Sequence, residues 1–173
     1  MTDKKENILS AALELFANEG YNATSTSSIA KKAGVSEGLI FRHFKNKKGL
    51  LDALMEDAEA RIGKLLAPVI FESDPKKAIR KIILLPFSID QAEYDFWRLQ
   101  FILKWQKEYN NPQKMKPLVD KLSWAFSELK YEEPEEEAKL LNMLIDTISS
   151  GILRDGLESQ LPLKSFLLKK YGV

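Results

Sequence analysis

Cysteine does not occur in the 173 residues, and histidine occurs once, at His43. Without thiols the chain has neither a disulfide framework nor a thiolate metal site, and the composition suits a reducing cytoplasm, the expected location. A single histidine, no glycine-rich phosphate loop and no metal-spaced ligands leave no assembled nucleophile, base or metal cluster, so neither an enzyme nor a metal or cofactor is expected. Long apolar runs are missing too. Ile82 to Ile89 is uncharged and apolar but contains Pro86 and falls far short of the roughly 20 residues that span a bilayer, so no membrane partner is expected. The N-terminal amphipathic stretch carries Glu14, unlike the uninterrupted apolar centre of a signal peptide, and no export is expected.

What is present is an ordinary globular mixture, 45% apolar and 29% charged, with charge that is unevenly spread. Residues 1–50 hold eight Lys/Arg against five Asp/Glu, a net +3, while the other 123 hold 18 against 20, a net −2. Between residues 31 and 48 six basic side chains meet only Glu37. A phosphate-facing module joined to a near-neutral remainder has this pattern, and so does a solvated basic face.

The periodicity is helical throughout, with no sustained period-two alternation, which predicts an all-α fold. A first helix is expected over about Lys4 to Glu19, carrying Ile8, Leu9, Ala12, Leu13, Leu15 and Phe16, with Gly20 as its left-handed end and Tyr21 as the apolar cap contact. Thr26 is the expected N-cap of a second helix with Ile29, Ala30 and Ala33 inward, ended by Gly34; Ser36 caps a third with Ile40 and Phe44 inward. Two short helices joined at Gly34-Val35-Ser36 form the layout of a helix-turn-helix, which sets one helix in the DNA major groove. Asn46 is the expected cap of a long fourth helix running from near Lys47 towards Pro68 into a second domain. Further helices are predicted over about 75–90, kinked at Pro86, and over 91–109, 115–130, 134–156 and 163–171, with Asn110-Asn111-Pro112 among the breaks.

Ile8 to Phe16, Gly20-Tyr21, Thr26, Ile29-Ala30, Ala33-Gly34-Val35-Ser36, Gly38, Ile40-Phe41, His43-Phe44 and Asn46-Lys47 with Leu50 stand at linked spacings. In these the first 50 or so residues resemble the DNA-binding domain of the TetR/AcrR family of bacterial transcriptional regulators. The resemblance implies a three-helix DNA-binding module at residues 1–46 and a helical ligand-binding and dimerisation bundle at 47–173, in a homodimer. It also implies a repressor released from a two-fold operator on double-stranded DNA by a small effector, which the aromatic-rich middle of the chain suggests is largely apolar or aromatic. A helical interaction protein on the same fold that no longer binds DNA specifically is the competing reading.

Carried over by position, the resemblance assigns base-edge contact to Glu37, Leu39 and Arg42, close backbone approach to Gly38, and phosphate contact to Thr26, Ser36, His43 and Lys47. Glutamate can accept from a cytosine amino group, leucine can touch a thymine methyl, and arginine can take guanine or a phosphate. Phe41 stands where the family usually has tyrosine, so its ring offers packing or apolar contact and no hydroxyl. Lys48 and Gly49 stand where an acidic residue is common, which adds charge and weakens the first turn of the fourth helix.

Aromatic residues crowd the middle of the chain. Trp97, Phe101 and Trp105 recur at i, i+4 and i+8 on one helix face, and with Phe87, Tyr94 and Trp124 they form either core or the lining of a ligand cavity, with Arg98, Gln100 or Gln106 as a polar handle. Leu141, Ile145, Ile148 and Ile152 form a long apolar stripe that, with Phe166 and Leu167, is assigned to a two-fold helical interface; a core face within one subunit is the alternative.

Overall fold

Proline starts α5 and α8 and glycine ends α2 and α9, one through its missing amide hydrogen and the other through its left-handed freedom. A computed structural model of the chain describes residues 2–106, 109 and 112–173. Among the described residues there are nine α-helices and no strand: α1 (Thr2–Asn18), α2 (Thr26–Ala33), α3 (Glu37–Phe44), α4 (Lys47–Ile70), α5 (Pro75–Leu84), α6 (Tyr94–Leu103), α7 (Lys116–Glu128), α8 (Pro134–Asp155) and α9 (Leu161–Tyr171). The all-α expectation is met. Pro86 breaks the helix predicted over 75–90 into α5 and a 3-10 turn, Leu85–Ser88. The helix predicted over 91–109 is shorter, ending at Leu103; residues 107 and 108 at its expected end, and Asn110 and Asn111 beyond it, lie outside the described residues.

The chain packs as two units, Met1–Ile62 with Ala92–Gln106, and Gly63–Gln91 with Lys107–Val173. In the first, α1 lies against α2 and α6, and α2 against α3. Ile8, Phe16, Ile29, Ile40 and Leu50 are fully buried there, each such burial stabilising by about 1.5–3 kcal/mol. Tyr21 meets the Phe16 ring edge-on at 5.1 Å, the apolar contact expected after Gly20. Phe96, Leu99 and Leu103 of α6 are buried, and Arg98 bonds both Asn18 at the end of α1 and Asp95, each at 2.8 Å. Packing therefore groups the first part of α4 and all of α6 with the first three helices, a division different from the one expected between residues 46 and 47.

In the second unit α7 lies against α8, and α5 against α7 and α9. Phe126 is fully buried and its ring meets those of Tyr131 at 4.9 Å and Tyr171 at 5.4 Å. The Tyr171 hydroxyl donates to Glu137 Oε2 at 3.2 Å; burial first, then the Glu137 carboxylate, pushes its pKa above the ordinary tyrosine range. Helix α8 has two apolar faces. Leu141, Ile145, Ile148 and Ile152 are buried in its own unit, whereas Leu140 and Met143 are exposed.

Candidate nucleic-acid interface

Helix α2 begins one residue earlier than its sequence suggests: Ser25, not Thr26, is the N-cap. The Ser25 hydroxyl accepts the Ser28 amide at 3.0 Å and the Ser28 hydroxyl accepts the Ser25 amide at 3.2 Å, a capping box with serine in the place of the usual glutamate. Serine three residues after serine was the available signal. Thr26, moved into the first turn, donates its hydroxyl to Glu37 Oε1 at 2.6 Å, so the starts of α2 and α3 are joined by a bond that no local pattern announces. Gly34, at φ 66, closes α2 in the left-handed conformation and Val35 donates to the Ala30 carbonyl at 3.0 Å.

Ser36 has the extended backbone of an N-cap, but its side chain makes no capping bond. Ile40 and Phe44, four residues apart, are buried; the opposite face therefore turns outward. Among the residues assigned to DNA, Ser36, Gly38, Phe41 and Arg42 are exposed, while Thr26, Glu37, Leu39, His43 and Lys47 are half-buried. All nine residues assigned to DNA lie in the first unit. Of the basic residues between 31 and 48, Lys32 pairs with Glu14 at 2.7 Å and Lys48 with Asp52 at 3.0 Å. Among the described residues Lys31, Arg42 and Lys45 have no carboxylate partner, which leaves their charge to a polyanion.

The corner between α3 and α4 is tight. Lys45 has φ 68 and ψ −46, and the Asn46 amide donates to the Phe44 carbonyl at 2.8 Å, a γ-turn in the strained, positive-φ form. Asn46 Oδ1 accepts the Gly49 amide at 2.9 Å, the cap expected for α4. A Cβ at Gly49 would stand 1.9 Å from the Phe44 carbonyl oxygen. Gly49 thus admits the preceding helix end, whatever it costs the first turn of α4. The Lys47 ammonium donates to the carbonyls of Tyr21 at 2.8 Å and Thr24 at 2.9 Å.

The other assigned residues are less concentrated. Tyr94, Trp97, Phe101 and Trp105 belong to the first unit, Phe87 and Trp124 to the second, so neither unit holds all six as one lining. Trp105 is 81% exposed, whereas the Trp97 indole nitrogen is buried without a hydrogen-bond partner among the described residues. An open groove of about 340 Å³ in the second unit is lined by Lys64, Leu65, Pro68, Val69, Lys81, Leu84, Leu85 and Ser88, none of them assigned from sequence. Of the interface residues, Leu141, Ile145, Ile148, Ile152 and Leu167 are taken up in their own core, and only Phe166, 60% exposed, is available to a second copy. Among the described residues no cluster of His, Asp or Glu could hold a metal ion, and no helix is long and apolar enough to cross a membrane.

Residues 8–54, which hold this helix-turn-helix, match the family model of bacterial regulatory proteins, tetR family. The N-terminal segment is a TetR-family module. It is 47% identical over 66 residues to an uncharacterized HTH-type transcriptional regulator, YvkB, of Bacillus subtilis, a match covering 38% of this chain and 35% of that protein. The matched stretch spans about a third of the length of such curated relatives. Beyond the TetR-family module the likeness is one of fold. A TetR-like transcriptional regulator from Rhodococcus sp. RHA1 superposes with a TM-score of 0.79 at 17% identity, over 95% of this chain and 92% of that one. A transcriptional regulator from Saccharomonospora viridis, solved in complex with choline, does so with a TM-score of 0.69 at 19% identity, over 98% and 97%.

Proposed function

We propose that the chain is a DNA-binding transcriptional regulator, a repressor that acts as a homodimer on a two-fold operator in the cytoplasm and is released by a small effector. The observation that carries this reading is α3, whose buried Ile40 and Phe44 leave Gly38, Phe41 and Arg42 exposed and Leu39 half-buried, with Ser36 exposed just before the helix; among the described residues Lys31 and Lys45 have no carboxylate partner. Glu37, Leu39 and Arg42 read base edges, while Ser36 and His43 approach phosphates, Thr26 faces them from the N-terminus of α2 with its hydroxyl proton held by Glu37, and Phe41 makes apolar contact. Both helix N-termini add their amides to the phosphate grip. The hydrogen bond from Thr26 orients Glu37 before DNA arrives.

For the second copy, the outward faces of α8 and α9 offer Leu140, Met143, Leu163 and Phe166, all exposed. A two-fold operator presents its half-sites to such a dimer about 34 Å apart, or at a multiple of that spacing. The effector is small and largely apolar or aromatic. The indole N–H of Trp97, buried without a partner among the described residues, supports a bound acceptor near it, since an unsatisfied buried donor costs about 1–3 kcal/mol.

Gel shifts with the DNA upstream of the chain's own gene, against a random duplex of equal length, test the reading. Preferential binding of the upstream duplex at physiological salt is expected, with a dimer in sedimentation at micromolar concentration. Equal affinity for both duplexes would favour the interaction protein instead. An effector should quench tryptophan fluorescence and release the operator; compounds that quench without release would break the coupling.

A further inference from the structure

Lysine ammonium groups carry three donors and no acceptor, and Lys47 has three acceptors around it. The carbonyls of Tyr21 and Thr24 accept at 2.8 and 2.9 Å and that of Asn22 at 3.4 Å; the ammonium also stands 4.5 Å from the centroid of the Tyr21 ring. These carbonyls belong to the loop between α1 and α2. The loop is itself fixed at Thr24, 2% exposed, whose hydroxyl donates to the Gly20 carbonyl at 2.9 Å. One residue on is the Ser25 cap, and the next, Thr26, bonds Glu37 at the start of α3. On its other side the first turn of α4 is seated at Gly49 against the Phe44 carbonyl.

We propose that Lys47 is a positioning residue for DNA binding, not a phosphate ligand: its ammonium gathers three loop carbonyls and thereby fixes the N-terminus of α2 and the carboxylate of Glu37. Three carbonyl oxygens facing one point repel one another and need a cation or water between them. To reach a phosphate, the ammonium must release at least one of them. The two roles differ in what can replace lysine. A planar guanidinium serves a phosphate as well as an ammonium does, but its rigid fork does not converge on three acceptors around one point.

The inference rests on the proposed DNA binding, so its test reads the loop with and without DNA. The full-length chain is compared with Lys47→Met, which keeps the apolar stem, and with Lys47→Arg. Operator affinity is measured across a salt series, and exchange of the Thr24 amide, which donates to Gly20 in the intact loop, is followed on the free protein. In Lys47→Met, affinity should fall about tenfold, as for loss of one charge-assisted bond, with an unchanged salt slope. Arginine should not restore it, and Thr24 exchange should quicken in both variants. A slope reduced by about 1 in Lys47→Met, with full recovery in Lys47→Arg, would overturn the proposal. So would undiminished affinity in Lys47→Met, or unaltered Thr24 protection. If wild-type protein fails to prefer the operator, the DNA reading falls, and Thr24 exchange still decides whether the clamp exists.

Discussion

Helices α3 and α8 both show an apolar stripe in sequence, but only in α3 does the stripe identify the working face. α3 is eight residues long with two buried side chains; once Ile40 and Phe44 face inward, Gly38, Phe41 and Arg42 are exposed. α8 is 22 residues long and apolar on two faces. The more regular stripe, from Leu141 to Ile152, is the core, and the shorter set at Leu140 and Met143 is exposed. Periodicity says that a face is covered; it does not say by what. A helix with one apolar face answers that question itself, and a helix with two does not.

The sharpest way to break the comparison is to treat the two faces of α8 alike. Leu141→Ala should cost about 2–5 kcal/mol in denaturant unfolding, as a cavity in a packed core does, whereas Met143→Glu and Phe166→Glu should leave unfolding near wild type and shift sedimentation towards the monomer. If Leu141→Ala unfolds like wild type, the assignment of the inner face is wrong. Next in size is the corner that holds α3. Gly49→Ala, forcing a Cβ onto the Phe44 carbonyl, should lose about 1–3 kcal/mol by calorimetry and weaken operator binding with it.

Smaller effects separate the two serines at the starts of the motif helices. Ser25→Ala should cost about 1 kcal/mol, because its hydroxyl caps α2. Ser36→Ala should cost almost nothing in stability, since its side chain makes no capping bond, and should instead reduce DNA affinity in filter binding. Equal losses of stability would contradict that contrast. The smallest effect concerns Tyr171, bonded to Glu137 in the first turn of α8. Its raised pKa means that the folded state holds the hydroxyl proton more tightly than the unfolded chain. This contribution is therefore complete below the ordinary tyrosine value of 10.0 and is lost as pH rises above it. Thermal midpoints should fall more steeply above pH 10 for wild type than for Tyr171→Phe.

The helix-turn-helix was legible because its determinants are local. Gly34 in the left-handed region, Asn46 capping α4, and Ile40 four residues before Phe44 each act within one or two turns of chain. What eluded the sequence lies at long range. The bond from Thr26 spans 11 residues to Glu37, and those from Lys47 span 23 and 26 residues to Thr24 and Tyr21. Such partners are chosen by how helices meet, not by spacing. The same holds for the aromatic residues, which share a stretch of sequence and are divided between two units.

By itself the sequence determined the all-α class, the order of the helices and the outward face of α3, because helix periodicity and capping act within a few residues of the chain. Only the tertiary structure decided that Thr26 bonds Glu37, that the Lys47 ammonium is engaged by loop carbonyls, and which face of α8 is core. Those choices depend on which groups from distant parts of the chain the packed helices bring to a donor or an apolar surface, and the spacing of residues along the chain does not specify that.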